Sequence, residues 1–167
     1  MSELITALKN EADRIQEDAE MSAKGHYNAS EKWRKRNLWI GIPTSILTAV
    51  VSVISYADFP FVAGMLAMFS AISISVMTFL NSSEISQKHK ASAGYYHALR
   101  NQVRIFKEIE LLGNTDENLL KKRLLELAAE RDQLNHLSLV IPRNEYERAQ
   151  KDVDEGRTTY RIDKENR

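Results

Sequence analysis

The chain has 167 residues, 23 basic and 23 acidic side chains, and no cysteine. This length fits a single domain with a modest core. A formal charge of zero speaks against a nucleic-acid binder, which normally carries a basic excess. The lack of cysteine excludes disulfides, thiolate metal sites and cysteine nucleophiles, and it fits a chain that is not secreted. The charges are unevenly distributed, however: over the 47 positions 37–83, Asp58 is the only charged residue.

Residues 1–36 form a charged, amphipathic arm. Leu8, Ala12, Ile15, Ala19, Ser22, His26, Ala29 and Trp33 alternate in steps of four and three. That spacing predicts a coiled-coil-like helical seam. The arm ends in a basic cluster, Lys32, Arg34, Lys35 and Arg36. An acidic amphipathic arm ahead of the first apolar stretch does not resemble the short basic start of a signal peptide.

Residues 37–83 predict a membrane hairpin. Spans at 38–57 and 61–80 flank Asp58 and Pro60, and twenty residues as a helix reach about 30 Å, the thickness of a bilayer's hydrocarbon layer. Neither span has a charged face, so neither suits the surface of a soluble fold. The alternative, a hairpin buried inside a soluble helical protein, needs nearly all of the remaining chain wrapped around it. Lysine and arginine flank the hairpin, with Lys88 and Lys90 after it and none in the turn. The positive-inside rule then puts both arms in the cytoplasm of a multi-pass membrane protein, with Asp58 outside.

Each span carries a stripe of small or hydroxylated residues. Gly41, Ser45, Thr48, Ser52 and Ser55 mark the first, and Gly64, Ala67, Ala71, Ser75, Thr78 and Ser82 the second. Such stripes either let helices pack closely in lipid or line a water-filled path in an oligomer. Asp58 likewise has two readings. It caps the second span, with Pro60 in the first turn, or it forms a carboxylate ring at a pore mouth.

Residues 84–142 predict cytoplasmic helices. Ile85, His89, Ser92, Tyr96, Leu99, Val103 and Phe106 repeat the four–three spacing, and no breaker after Leu80 interrupts the run from the second span. Gly113 is expected to end this helix as a left-handed residue, and Thr115 with Asp116 and Glu117 to start the next. Leu120, Leu124, Leu127, Leu134 and Leu137 give that next helix a leucine face, and it stops before Pro142. The tail at 143–167 is expected to hold a short polar helix with Tyr146, Ala149 and Val153 on one side, frayed from Gly156 onward. The expected fold is all-α: a two-span hairpin with amphipathic cytoplasmic helices in a bundle, formed within one copy or between copies.

Chemistry-bearing motifs are absent. His26 and His89 fall on seam positions and His97 two turns beyond His89, with no spacing that builds a metal site; buried, hydrogen-bonded seam histidines are the expectation, and His136 is uninformative. The sequence has no phosphate-cradling glycine loop, nucleophile elbow or zinc-protease motif. The chain therefore reads as a non-enzyme without metal or other cofactor.

Over roughly residues 20–112 the chain resembles the SLATT family, two-transmembrane effectors associated with SMODS nucleotidyltransferases and SLOG-domain proteins in bacterial conflict systems. The resemblance rests on His26-x2-Ala29-x3-Trp33, the short hairpin turn, and His89-x3-Ala93-x2-Tyr96-x2-Leu99. It implies an antiviral defence effector that forms a homo-oligomeric pore or otherwise breaches the inner membrane. It also implies a trigger in a sensor partner, such as a nucleotidyltransferase, SLOG protein or reverse transcriptase. The family motif carries no catalytic residues. The competing expectations are a non-conducting membrane-anchored scaffold whose helices recruit a partner, and a constitutive small ion channel.

Overall fold

The first arm and the first apolar segment form one helix. α1 runs from Glu3 to Ser55, 53 residues, and continues through Pro43, which offers no N–H to the Trp39 carbonyl. The computed structural model describes residues 3–55, 59–113, 116–158 and 160. α2 spans Pro60–Leu80 with Pro60 in its first turn and Phe59 as a cap residue that supplies no side-chain bond. The fixed φ of proline starts this helix. Asp58, expected as its cap, lies outside the described residues.

The expectation of an unbroken run after Leu80 is corrected at Asn81, which adopts a left-handed conformation (φ 42, ψ 41). Asparagine is among the few residues that tolerate this region, because its short polar side chain bonds locally; here it donates to the Glu84 carboxylate. The backbone bonds Asn81 N–H to Met77 C=O and Ile85 N–H to Asn81 C=O, both 3.1 Å, carry the ladder across the break. α3 then covers Ser82–Ile105 and closes in a π-helical turn, Phe106–Glu110. Gly113 is therefore not the left-handed cap expected of it. The π turn closes the helix first, with Leu111 N–H donating to Phe106 C=O, and among the described glycines only Gly156 has positive φ.

α4 covers Glu117–Leu137 and is capped by Asp116, whose carboxylate accepts from the Asn118 N–H at 2.9 Å; Thr115 lies outside the described residues. α5 covers Arg143–Asp154. No strand occurs among the described residues.

The chain divides into two compact units, Met1–Ala29 with Lys88–Arg167, and Ser30–Gln87. In the first unit, α1 contributes mostly small residues (Leu8, Ala12, Ile15, Ala19 and Ala23) to a common core. α3 and its π turn supply Tyr96, Leu99, Val103 and Phe106, and α4 supplies Leu120, Leu124 and Leu127. The alanines let α1 approach closely, and the bulk on the facing helices fills the space. Ion pairs stitch the margins, Arg100 to Glu20 at 3.2 Å and Lys107 to Asp13.

Several predicted positions shift. Ala23 and Ala93 are buried in the seams where Ser22 and Ser92 were expected, and Trp33 and Ile85 are only partly covered. Leu137, at 74 % exposure, leaves the leucine face, because α4 ends there. The buried side of α5 is Glu145, Ala149 and Asp152, not Tyr146 and Val153. Fraying from Gly156 onward was expected, but Arg157 N–H bonds Asp152 C=O at 3.0 Å, and Arg100 and Arg104 each lie 4.9 Å from the Tyr160 ring centre.

The second unit is the hairpin. Among the described residues two helical runs are long and apolar enough to cross a membrane, and only 6 % and 11 % of their most apolar windows are buried. The core helices of a soluble protein would be mostly covered. Here most of each window is left uncovered by the described residues.

Candidate functional site

In the hairpin, three hollows lie between the two apolar segments. One of about 500 Å³ is lined by Gly41, Thr44, Ser45 and Thr48 from α1 and by Met77 and Thr78 among others from α2. A second, about 220 Å³, lies among Thr48, Val51, Ser70 and Ala71. A third, about 310 Å³, lies among Val51, Ser55, Pro60, Gly64 and Ala67. The structure therefore brings Gly41, Ser45, Thr48, Ser55, Gly64, Ala71 and Thr78 to shared hollows, while Ser52 and Ser75 are exposed outside them.

Small side chains leave this space because they stop short of filling the gap between two helices. Gly41 marks the tight end, where a β-carbon would lie 3.2 Å from Met77 Cε. The hydroxyls of Ser45, Thr48, Ser52, Ser55, Ser75 and Thr78 each donate to the carbonyl four residues earlier, Thr48 to Thr44 at 2.9 Å, Ser55 to Val51 at 2.8 Å and Thr78 to Ile74 at 3.0 Å among them. In an apolar medium that bond removes the cost of an unpaired donor, while the oxygen's two lone pairs stay available as acceptors. Thr44 and Ser70 are the buried hydroxyls of this unit's apolar segments. Both sit one position off the four–three phase of the stripes, so the spacing alone does not pick them out. The hollows also use Val51, which a search for hydroxyls alone would miss. At the unit's other end Ser86 donates to Ser30 C=O at 2.9 Å, and Arg36 lies over the Trp33 ring at 5.3 Å.

In the first unit the seam histidines meet. His26 of α1 and His89 of α3 are 1 % and 2 % exposed, and their Nδ1 atoms are 2.8 Å apart. The His26 ring stacks on Tyr96, 5.6 Å between centres and 15° from parallel, and Tyr96 Oη donates to Asn135 Oδ1 of α4 at 2.6 Å. Burial, and secondarily the facing His89, lowers the His26 pKa to about 4. Burial lowers His89 as well and raises Tyr96. Both rings are thus neutral at pH 7. Leu99, Val103 and Phe106 continue this face as fully buried apolar core. His97 is exposed, with Asn101 Nδ2 3.4 Å from its Nδ1. Among the described residues no group of three or more acidic or histidine side chains is placed to hold a metal ion.

Around this cluster lies a second covered face of α1. A β-carbon on Gly25 would meet Ile141 Cδ1 at 3.0 Å, Asn28 Nδ2 donates to Glu145 C=O at 3.3 Å, and Lys24 pairs with Asp152 at 3.1 Å. The Lys24 hydrogen bond holds the Asp152 carboxyl below its ordinary value. A hollow of about 620 Å³ opens between α3 and the end of α4, lined by Tyr95, Gln133, Leu134, Leu137 and Leu139 among others. No family model matches the chain, no characterised protein is significantly similar to it in sequence, and no solved structure is significantly similar in fold.

Proposed function

We propose that this chain is a membrane effector of the SLATT type, acting in bacterial antiviral defence. In this reading the hairpin crosses the inner membrane with both arms in the cytoplasm. A trigger from a partner sensor makes copies assemble into a pore, or otherwise breach the bilayer. The observation that supports it is the convergence of small and hydroxylated residues from both apolar segments on shared hollows, while bulky residues such as Ile46, Val53, Phe69 and Phe79 are exposed. A helix pair with one face able to accept hydrogen bonds and the opposite faces apolar suits a ring with lipid outside and a wetted path inside. Asp58 supplies a carboxylate at the outer mouth of that ring. The test is membrane potential during triggered, toxic expression, read with a voltage-sensitive dye. Depolarisation that Ser45→Phe or Thr78→Phe blocks, with protein still in the membrane, is the expected result; an intact potential in toxic cells overturns it.

One observation favours a second reading, the membrane-anchored scaffold. The stripe hydroxyls satisfy themselves on their own helices, as tight packing requires, and the first unit exposes Tyr95, Leu137 and Val140. Alanine at Ser45, Thr48, Ser75 and Thr78 is then harmless, whereas Tyr95→Asp or Val140→Asp abolishes activity.

A further inference from the structure

The histidine pair joins α1 to α3 through a bond that tolerates one arrangement of protons. Two Nδ1 atoms 2.8 Å apart form a hydrogen bond only when one carries hydrogen and the other a lone pair. In the neutral pair one ring is the Nδ1–H tautomer and the other the Nε2–H tautomer. A first added proton goes to the free Nε2 of the donor ring and leaves the bond intact, now charge-assisted. A second has only the accepting Nδ1 to occupy. It removes the acceptor and sets two N–H groups and two positive rings, centres 5.1 Å apart, against each other.

We propose that His26 and His89 form a proton-operated latch: neutral or carrying one added proton, they tie α1 to α3, and doubly protonated they drive the two helices apart. The ring contacts of the pair are with each other and with Tyr96. From α3 the neighbour is the Tyr96 ring, stacked on His26. From α4 it is Asn135, an uncharged amide occupied by Tyr96 Oη, with Ser138 also bonded to Tyr96. α1 brings Asp18, whose charge acts on Tyr96, and Lys24, which is bound to Asp152. α5 brings the buried Glu145, which meets α1 through its backbone carbonyl at Asn28. Because α1 also carries the first apolar segment, a seam that opens on acidification gives the cytoplasmic unit a signal independent of any sensor protein. This inference does not require that the hairpin conduct.

The opened state restores ordinary histidine behaviour, so acid favours it. With His26 at about 4 in the closed state against 6.5 when open, lowering pH from 7.5 to 5.0 raises the open population about 30-fold from this residue alone. The chain has no cysteine, so single thiols report without background. Full-length protein in detergent micelles carries Ala93→Cys, a buried seam position beside the pair, or Ala91→Cys, an exposed control. The ratio of their alkylation rates cancels the pH dependence of the thiolate. The expected result is a ratio that rises more than tenfold between pH 7.5 and 5.0, rises less with His26→Gln or His89→Gln alone, and stays flat with both. An unchanged ratio without those substitutions overturns the latch, whatever the variants do. A rise that survives both substitutions overturns it equally, by assigning the opening to other groups.

Discussion

Gly25 and Gly94 sit inside α1 and α3, and the same substitution should act on them with opposite sign. Alanine in an exposed helix interior stabilises over glycine by about 1 kcal/mol, through helix propensity and a less flexible unfolded chain. At Gly94 nothing lies within 4 Å of a new β-carbon, so Gly94→Ala should deliver that full gain. At Gly25 the same carbon meets Ile141 Cδ1 at 3.0 Å and Cγ2 at 3.2 Å, against comfortable carbon contacts of about 3.5–4.0 Å. Overpacking of this kind costs about 1–3 kcal/mol. It exceeds the propensity gain and leaves Gly25→Ala destabilised by about 1 kcal/mol. The two variants therefore differ by about 2 kcal/mol, roughly 30-fold in local opening. Amide hydrogen exchange on full-length protein in micelles, followed by mass spectrometry over α1 and α3, reads that difference directly. Ile141→Val deletes the nearest of the two atoms and should recover most of the loss in the Gly25→Ala background. Protection in Gly25→Ala equal to that in Gly94→Ala would refute the close approach of Ile141 to α1.

Three further outcomes are expected. Tyr96→Phe removes the donor to Asn135 and should destabilise the first unit by about 1–2 kcal/mol, with Tyr96→Phe/Asn135→Leu less unstable than the single changes predict if the bond is the cause; denaturant midpoints of the four proteins decide. Asp152 has a lowered pKa, so its contribution is complete above the ordinary carboxylate value of 3.8 and is lost as pH falls through the depressed one. Lys24→Met should move the Asp152 carboxyl titration upward by NMR and flatten that acid limb of stability; an unmoved titration would assign the shift elsewhere. A single cysteine at Asp58, in a chain otherwise without any, should react with an impermeant maleimide on intact spheroplasts, and one at Glu117 only after lysis. The reverse pattern would invert the proposed topology.

Much of this architecture is legible in the order of residues because it depends on local periodicity. Leu8, Ala12, Ile15 and Ala19 on one helix and Tyr96, Leu99, Val103 and Phe106 on another are buried because the four–three spacing stacks them on one face. Leu120, Leu124 and Leu127 follow the same rule. The misses occur where a distant segment intervenes. Glu145 and Asp152, charged and therefore expected outside, are buried on α5, with Lys24 of α1 as partner to Asp152. Asn81 offers little local signal for a break, since asparagine is tolerated in helices and adopts the left-handed region only where its surroundings allow. Of the candidate site, the stripe residues were legible by type, but which of them face a shared hollow was not: Ser52 and Ser75 match the stripes in kind yet lie outside the hollows, and Thr44 and Ser70 lie among them.

The charge balance that opens the sequence, 23 against 23, is arranged by the sequence alone into charged arms and an uncharged hairpin. Helix type, apolar length and seam phase follow from spacing within one segment, because hydrogen bonds four residues apart and side-chain burial on one face are local properties. Tertiary structure decided the rest. It paired His26 with His89 across 63 positions, laid Ile141 on Gly25, and put Tyr160 against Arg100 and Arg104. Such contacts depend on the path the chain takes between helices, and no periodicity within a helix encodes that path.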